Sequence, residues 1–148
     1  MKIYIGADHR GFSGKQDLLA WLPVQGFEVQ DCGAAEYDQQ DDFPDFGFAV
    51  GQAVAADPNS RGIVLCGGGM GILIAANKVA GVRAGLAASP EIIRLARHDD
   101  DINVLAIPSD LVSTDEMHEL VMTFLQTEFP DEERYRRRIG RIASYEQK

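Results

Sequence analysis

Two cysteines, no long apolar run and a shortage of cations set the first limits on this chain of 148 residues. Cys32 and Cys66 are too few for a disulfide scaffold, so in a reducing compartment they stay thiols and serve packing or reactivity. No window approaches the roughly twenty apolar residues of a spanning helix. The start runs directly into Lys2-Ile3-Tyr4-Ile5, without the charged, apolar and small-residue regions of a signal peptide. A soluble, cytoplasmic protein with no membrane partner is the expectation. The net charge of -9 argues against nucleic acid, which is bound through excess positive charge. Residues 134–148 reverse that balance, with 6 Lys and Arg against 1 acidic residue, and a small anion would be met there. The chain has neither G-x-x-x-x-G-K-[ST] nor G-x-G-x-x-G, so no ATP or NAD cofactor is expected. Nor does it have H-x-x-x-H or C-x-x-C, and adjacent residues on a strand face opposite ways. No metal site is expected either.

What is present is an apolar content of 45%, enough for one domain over residues 1–148. Ile3 to Ala7, Phe27 to Asp31, Gly62 to Cys66, Val82 to Ala87 and Val104 to Ile107 read as strands, with helical stretches between them. Ser89-Pro90 starts one helix as N-cap and first-turn proline; Ser113 with Glu116 starts another as a capping box. The pattern predicts a doubly wound, five-stranded parallel sheet in a Rossmann-like three-layer α/β/α fold with a C-terminal helix. A strand order of 2-1-3-4-5 would make the first and third strands neighbours. The acidic stretch from Asp38 to Asp45 reads as a solvated loop, Cys32 as packing and His118 as a surface residue of a helix.

In open parallel sheets the ligand sits beyond the carboxyl ends of the strands, where the strand order reverses. Two clusters fall at such ends. Asp8-His9 follows the first strand, and Cys66-Gly67-Gly68-Gly69-Met70-Gly71 follows the third. Glycines leading into the apolar stretch Ile72 to Val79 let backbone N–H groups face an anion, or simply make a tight turn. At that turn Cys66 is either a base or nucleophile, or an inert core thiol. His98 precedes Asp99-Asp100-Asp101, so its imidazole has carboxylates close by. Arg134, Arg138 and Arg141 share one helical face, a solvated basic side or a forked grip on phosphate; Tyr135, Ile139 and Ile142 share another.

Gly6-Ala7-Asp8-His9-Arg10-Gly11-Phe12, Asp31-Cys32-Gly33, Asp42-Phe43-Pro44, the run from Cys66 to Gly71 through Ala75-Ala76-Asn77-Lys78, and His98-Asp99 with Asn103-Val104-Leu105 together resemble one family. It is the type B ribose-5-phosphate isomerases, which include the galactose-6-phosphate isomerase subunits, and the resemblance covers nearly the whole chain. It implies an aldose–ketose isomerisation of a phosphorylated sugar through an enediolate. The site would be shared by two subunits of a homodimer, alone or paired into a tetramer. By this resemblance Cys66 is the general base, and backbone N–H groups of Gly67, Gly68, Gly69, Met70 and Gly71 hold the developing oxyanion. His98 of a second subunit, followed by Asp99, opens the sugar ring. Asp8 contacts sugar hydroxyls, and His9, Arg134 and Arg138 bind phosphate.

Several positions depart from the family pattern. Gly68 stands where Thr or Ser is usual, Asp99 where Asn follows the histidine, and Asp110 where an Arg joins the phosphate site. Tyr135 replaces a His and Phe43 a Tyr. A non-catalytic sugar-phosphate-binding protein or the partner subunit of a hetero-oligomeric isomerase is therefore the alternative function, and a thiol hydrolase or redox protein a third.

Overall fold

The computed structural model describes residues 1–148. Five strands alternate with helices: β1 Lys2–Ala7, α1 Phe12–Val24, β2 Glu28–Asp31, α2 Phe43–Ala56, β3 Arg61–Cys66, α3 Met70–Ala76, β4 Ala84–Leu86, α4 Pro90–Asp100, β5 Val104–Pro108, α5 Thr114–Gln126 and α6 Glu133–Tyr145. Every strand pair is parallel. The order is β2-β1-β3-β5-β4, which corrects the expected 2-1-3-4-5 at one edge. Burial gives the reason. All five residues of β5 are buried, so it needs neighbours and helices on all sides, whereas the three residues of β4 are half-buried and suit an edge. The reversal between β1 and β3 survives the correction, because the chain leaves β1 outward to β2 and returns on the other side to β3.

Side chains alternate across each strand, so one sheet feeds two cores. Ile3, Ile5, Ile63, Leu65, Leu105 and Ile107 meet Leu18 and Leu22 of α1, Ile93 of α4 and Phe124 of α5. Val64, Cys66, Val104 and Ala106 meet Val50 and Val54 of α2 and Ile72 and Ala76 of α3. Burying each such Leu or Ile contributes about 2 kcal/mol. Cys66 therefore leaves the sheet on the α2–α3 side.

The helix starts are those the sequence signalled. Ser89 Oγ accepts from the Ile92 N–H at 3.2 Å, and Ser113 with Glu116 closes a reciprocal capping box. The α3 helix is shorter than the predicted stretch and starts earlier, at Met70. On α6 only Tyr135 is buried; of the rest of the predicted apolar stripe, Ile139 is half-buried and Ile142 stays exposed. No helix is long and apolar enough to cross a membrane.

One buried cation ties α1 to the strand beyond it. Lys15, fully buried, donates to both carboxylate oxygens of Asp31 at 2.8 and 2.7 Å and to the Ala34 carbonyl at 2.7 Å. Removing one partner of such a pair leaves the other without compensation. Lys15→Ala is expected to lower the unfolding free energy by about 3 kcal/mol, read from urea melts. A loss under about 1 kcal/mol would show that water replaces the ammonium at Asp31.

Candidate active site

The ends of β1 and β3 lie side by side, with Ala7 paired to Leu65. Asp8, 5% exposed, follows directly, and its Oδ1 accepts from the N–H groups of Arg10 and Gly11, both at 3.0 Å. This carboxylate holds the turn into α1, and one oxygen remains to meet a ligand. Across from it the Cys66 Sγ is buried under its own loop and accepts from the Gly69 N–H at 3.2 Å. Gly69 has φ +75°, and a Cβ there would press on Leu86 and the Pro108 nitrogen, so the turn requires glycine. The N–H groups of Gly67 and Gly68 donate to no atom of the chain. Both stand beside the sulfur as free donors. Around Gly68 there is open space within 4 Å of a built Cβ, so the Thr or Ser usual at this position would fit. Gly71 carries the ring of Phe43 at 2.8 Å from such a Cβ.

His9 is gripped from the acidic loop. Asp41 Oδ1 accepts from the His9 backbone N–H at 3.1 Å and lies 2.7 Å from its Nδ1. Tyr37 packs edge-on against the same ring. The stretch predicted as a solvated face therefore turns inward at Asp41, whose side chain is 8% exposed. Its role was hidden among similar acids.

Arg10 crosses above Gly67, where a Cβ would overlap its guanidinium, and pairs with Asp110 at the end of β5. The Asp110 carboxylate, then those of Asp8 and the Cys66 sulfur, hold the Arg10 pKa above its ordinary value. A guanidinium thus sits over the acid that replaces the family's Arg. The reversed charge at Asp110 is met within the site, by a residue 100 positions away. Asp8, His9 and Asp41 also bring ligand-type atoms within 4.8 Å of one another. One oxygen of each acid already accepts two N–H-type contacts, an arrangement closer to a hydrogen-bonded turn than to a convergent coordination sphere.

The remaining predicted residues gather elsewhere. His98 Nδ1 lies 2.7 Å from Asp99 Oδ1, and the His98 ring meets Tyr135 edge-on at 5.4 Å. Arg134 stacks over Tyr135 and donates to its hydroxyl at 2.6 Å. Arg138 is exposed, whereas Arg136 and Arg137 pair with Asp131 and Glu133. Hydrogen bonds from His98, then from Tyr135, with the Arg134 charge behind them, hold the Asp99 carboxyl below its usual range. Asp99 is a carboxylate at neutral pH and acts as an acceptor for its neighbours.

These two groups stand at opposite ends of the molecule. Cys66 ends β3, while His98 and Asp99 end α4, which runs back to where β5 begins. Val104 pairs with Gly62 and Pro108 with Cys66, so the ends are about 13 Å apart along the strand alone. One chain does not bring Cys66 and His98 together. Near Cys66 the surface is open and apolar: Phe43, Phe48, Met70 and Ile74 are each exposed, and a groove of about 290 Å³ runs between α2 and α3.

Two other predicted assignments resolve here. Cys32 is half-buried beside β2, and burial, then the Asp31 charge, pushes its thiol pKa up, so it remains a packing thiol. His118 is not a free surface residue; it stacks flat on Trp21 at 3.8 Å and lies 2.5 Å from Asp17, joining α5 to α1.

Residues 3–142 match the Ribose/Galactose Isomerase family. The ribose-5-phosphate isomerase B of Mycolicibacterium paratuberculosis is 42% identical over 146 residues, which cover 99% of this chain and 92% of that protein. The crystal structure of ribose-5-phosphate isomerase B from Mycoplasma genitalium with bound ribulose-5-phosphate superposes with a TM-score of 0.94 at 38% identity, covering 99% of this chain and 97% of that one. The structure of the Clostridium thermocellum ribose-5-phosphate isomerase B gives a TM-score of 0.93 at 40% identity, covering 99% of this chain and 98% of that one.

Proposed function

The chain belongs to the ribose/galactose isomerase family, and on that footing we propose that it interconverts ribose 5-phosphate and ribulose 5-phosphate through an enediolate, with Cys66 as the base. It is a sugar-phosphate aldose–ketose isomerase. The observation that carries the mechanism is the Cys66 sulfur at the strand-order reversal, with the unbonded N–H groups of Gly67 and Gly68 beside it. The pentose assignment draws on the bound ribulose-5-phosphate of the Mycoplasma genitalium enzyme.

In the open-chain aldose, the Cys66 thiolate takes the proton from C2. The electron pair moves into a C1–C2 double bond, and the carbonyl oxygen O1 becomes an oxyanion. Donors fixed at that oxygen before the reaction stabilise the charge where it forms, and the free N–H groups of Gly67 and Gly68 supply them, the Gly69 N–H being engaged with the Cys66 sulfur. Return of the proton from sulfur to C1, with the hydroxyl proton passing from O2 to O1, gives the ketose. Asp8 meets the sugar hydroxyls with its free oxygen.

The separation of Cys66 from His98 favours a homodimer in which each site takes residues from both chains. The exposed apolar groove beside the glycine loop offers the surface for it. His98 of a second copy, oriented through Nδ1 by Asp99, opens the ring by protonating its oxygen as the C1 hydroxyl gives its proton to water and becomes the carbonyl. Arg134 and Arg138 of that copy close on the phosphate with His9. A phosphorylated sugar does not leave a cell unaided, which suits a cytoplasmic enzyme.

Deuterium exchange from D2O into four-, five- and six-carbon sugar phosphates, followed by NMR, tests the reaction directly. Exchange at C2 of ribose 5-phosphate is the expected result. Exchange only with a hexose or tetrose phosphate would move the substrate assignment, and exchange with none would overturn the catalytic reading.

A further inference from the structure

The grip of Asp41 on His9 uses one carboxylate oxygen for two jobs. Oδ1 accepts the main-chain N–H at 3.1 Å, which fixes the backbone after β1, and faces Nδ1 at 2.7 Å, which fixes the ring. The second oxygen, Oδ2, is buried and has no hydrogen-bond partner. Burying an unpaired acceptor is unfavourable, and a neutral amide would supply the same Oδ1. What a carboxylate adds is a charge-assisted bond, shorter and stronger than a neutral one, and 2.7 Å lies in that shorter range. The residue is also far away in sequence, 32 positions on, so the contact is a feature of the fold and not of a local turn.

We propose that Asp41 is the positioning residue for His9: it holds the ring by Nδ1 and leaves Nε2 as the nitrogen offered to the phosphate of the substrate. This rests on the reading that His9 is a phosphate ligand. The ring nitrogen that is engaged by a second group decides which one remains for a ligand. Asp8 supports the same arrangement from the other side, because its bonds to the Arg10 and Gly11 N–H groups set the turn on which His9 sits. Tyr37, edge-on to both His9 and Phe12, closes the ring in from a third direction.

Asp41→Asn separates the charge from the shape. In the intact protein, nitrogen-15 NMR of the His9 side chain should show a protected Nδ1–H in wild type that exchanges rapidly with water in the variant. KM for ribose 5-phosphate, and the inhibition constant of inorganic phosphate, should both rise about tenfold with kcat within about twofold, as expected for losing the charge assistance of one bond. An unchanged Nδ1 signal in Asp41→Asn would overturn the positioning role. A changed signal with both constants unmoved would leave Asp41 holding the ring and remove His9 from the phosphate site, overturning the reading on which the proposal rests.

Discussion

Cys66→Ala is expected to slow turnover about a thousandfold, because a positioned general base contributes on the order of 10²–10⁴ to such a proton transfer. The substitution removes the sulfur that stands beside the Gly67 and Gly68 N–H groups and leaves the donors in place. Substrate binding should therefore survive while C2 exchange in D2O disappears. Stability should change little, within about 1 kcal/mol, since the side chain is small and its one hydrogen bond is with the Gly69 N–H. Cys32→Ala serves as the control. Its thiol, pushed up by burial and Asp31, sits beside β2 and outside the glycine loop, so the variant should keep full activity. A Cys66→Ala protein that retains more than about a tenth of its kcat would show that another group takes the proton.

The legibility of this site in the sequence differs from residue to residue for physical reasons. The loop from Cys66 to Gly71 announced itself because a β-rich run followed by four glycines has few other uses, and the structure puts it at the reversal between β1 and β3. The N-cap of α4 and the capping box of α5 were legible because their partners are three residues apart. Asp41 was not, since Glu36, Asp38, Asp42 and Asp45 carry the same chemistry around it and only the fold turns one of them toward His9. The Arg10–Asp110 pair was equally hidden, being joined by the meeting of β1 and β5 loops and by nothing local. The edge order of the sheet depended on how a long crossover lands. Its one sequence trace is the apolar Val104-Leu105-Ala106-Ile107 against the smaller Ala84-Gly85-Leu86.

A mixing experiment addresses the shared site, and its outcome is close to all or none. Arg134→Ala/Arg138→Ala is expected to lower kcat/KM more than a hundredfold, because charge-assisted bonds to phosphate are among the stronger contacts available to a substrate. Cys66→Ala is inactive for a different reason, at the opposite end of the sheet. If each site pairs the Cys66 of one chain with the arginines of the other, a mixed dimer has one site with both lesions and one with neither. Unfolding the two variants together and refolding them at equal concentration makes half of the dimers mixed, so about a quarter of wild-type activity should return. Native mass spectrometry of differently tagged chains confirms that mixed dimers formed. Mixed dimers without recovered activity would mean that Cys66 and the arginines act within one chain. That would require α6 to leave its place beside α4, where the buried Tyr135 and the bond from the Gly81 N–H to Glu146 now hold it. The structure favours the exchange of residues between chains over that rearrangement, since the first needs only two copies to meet and the second breaks packing already made.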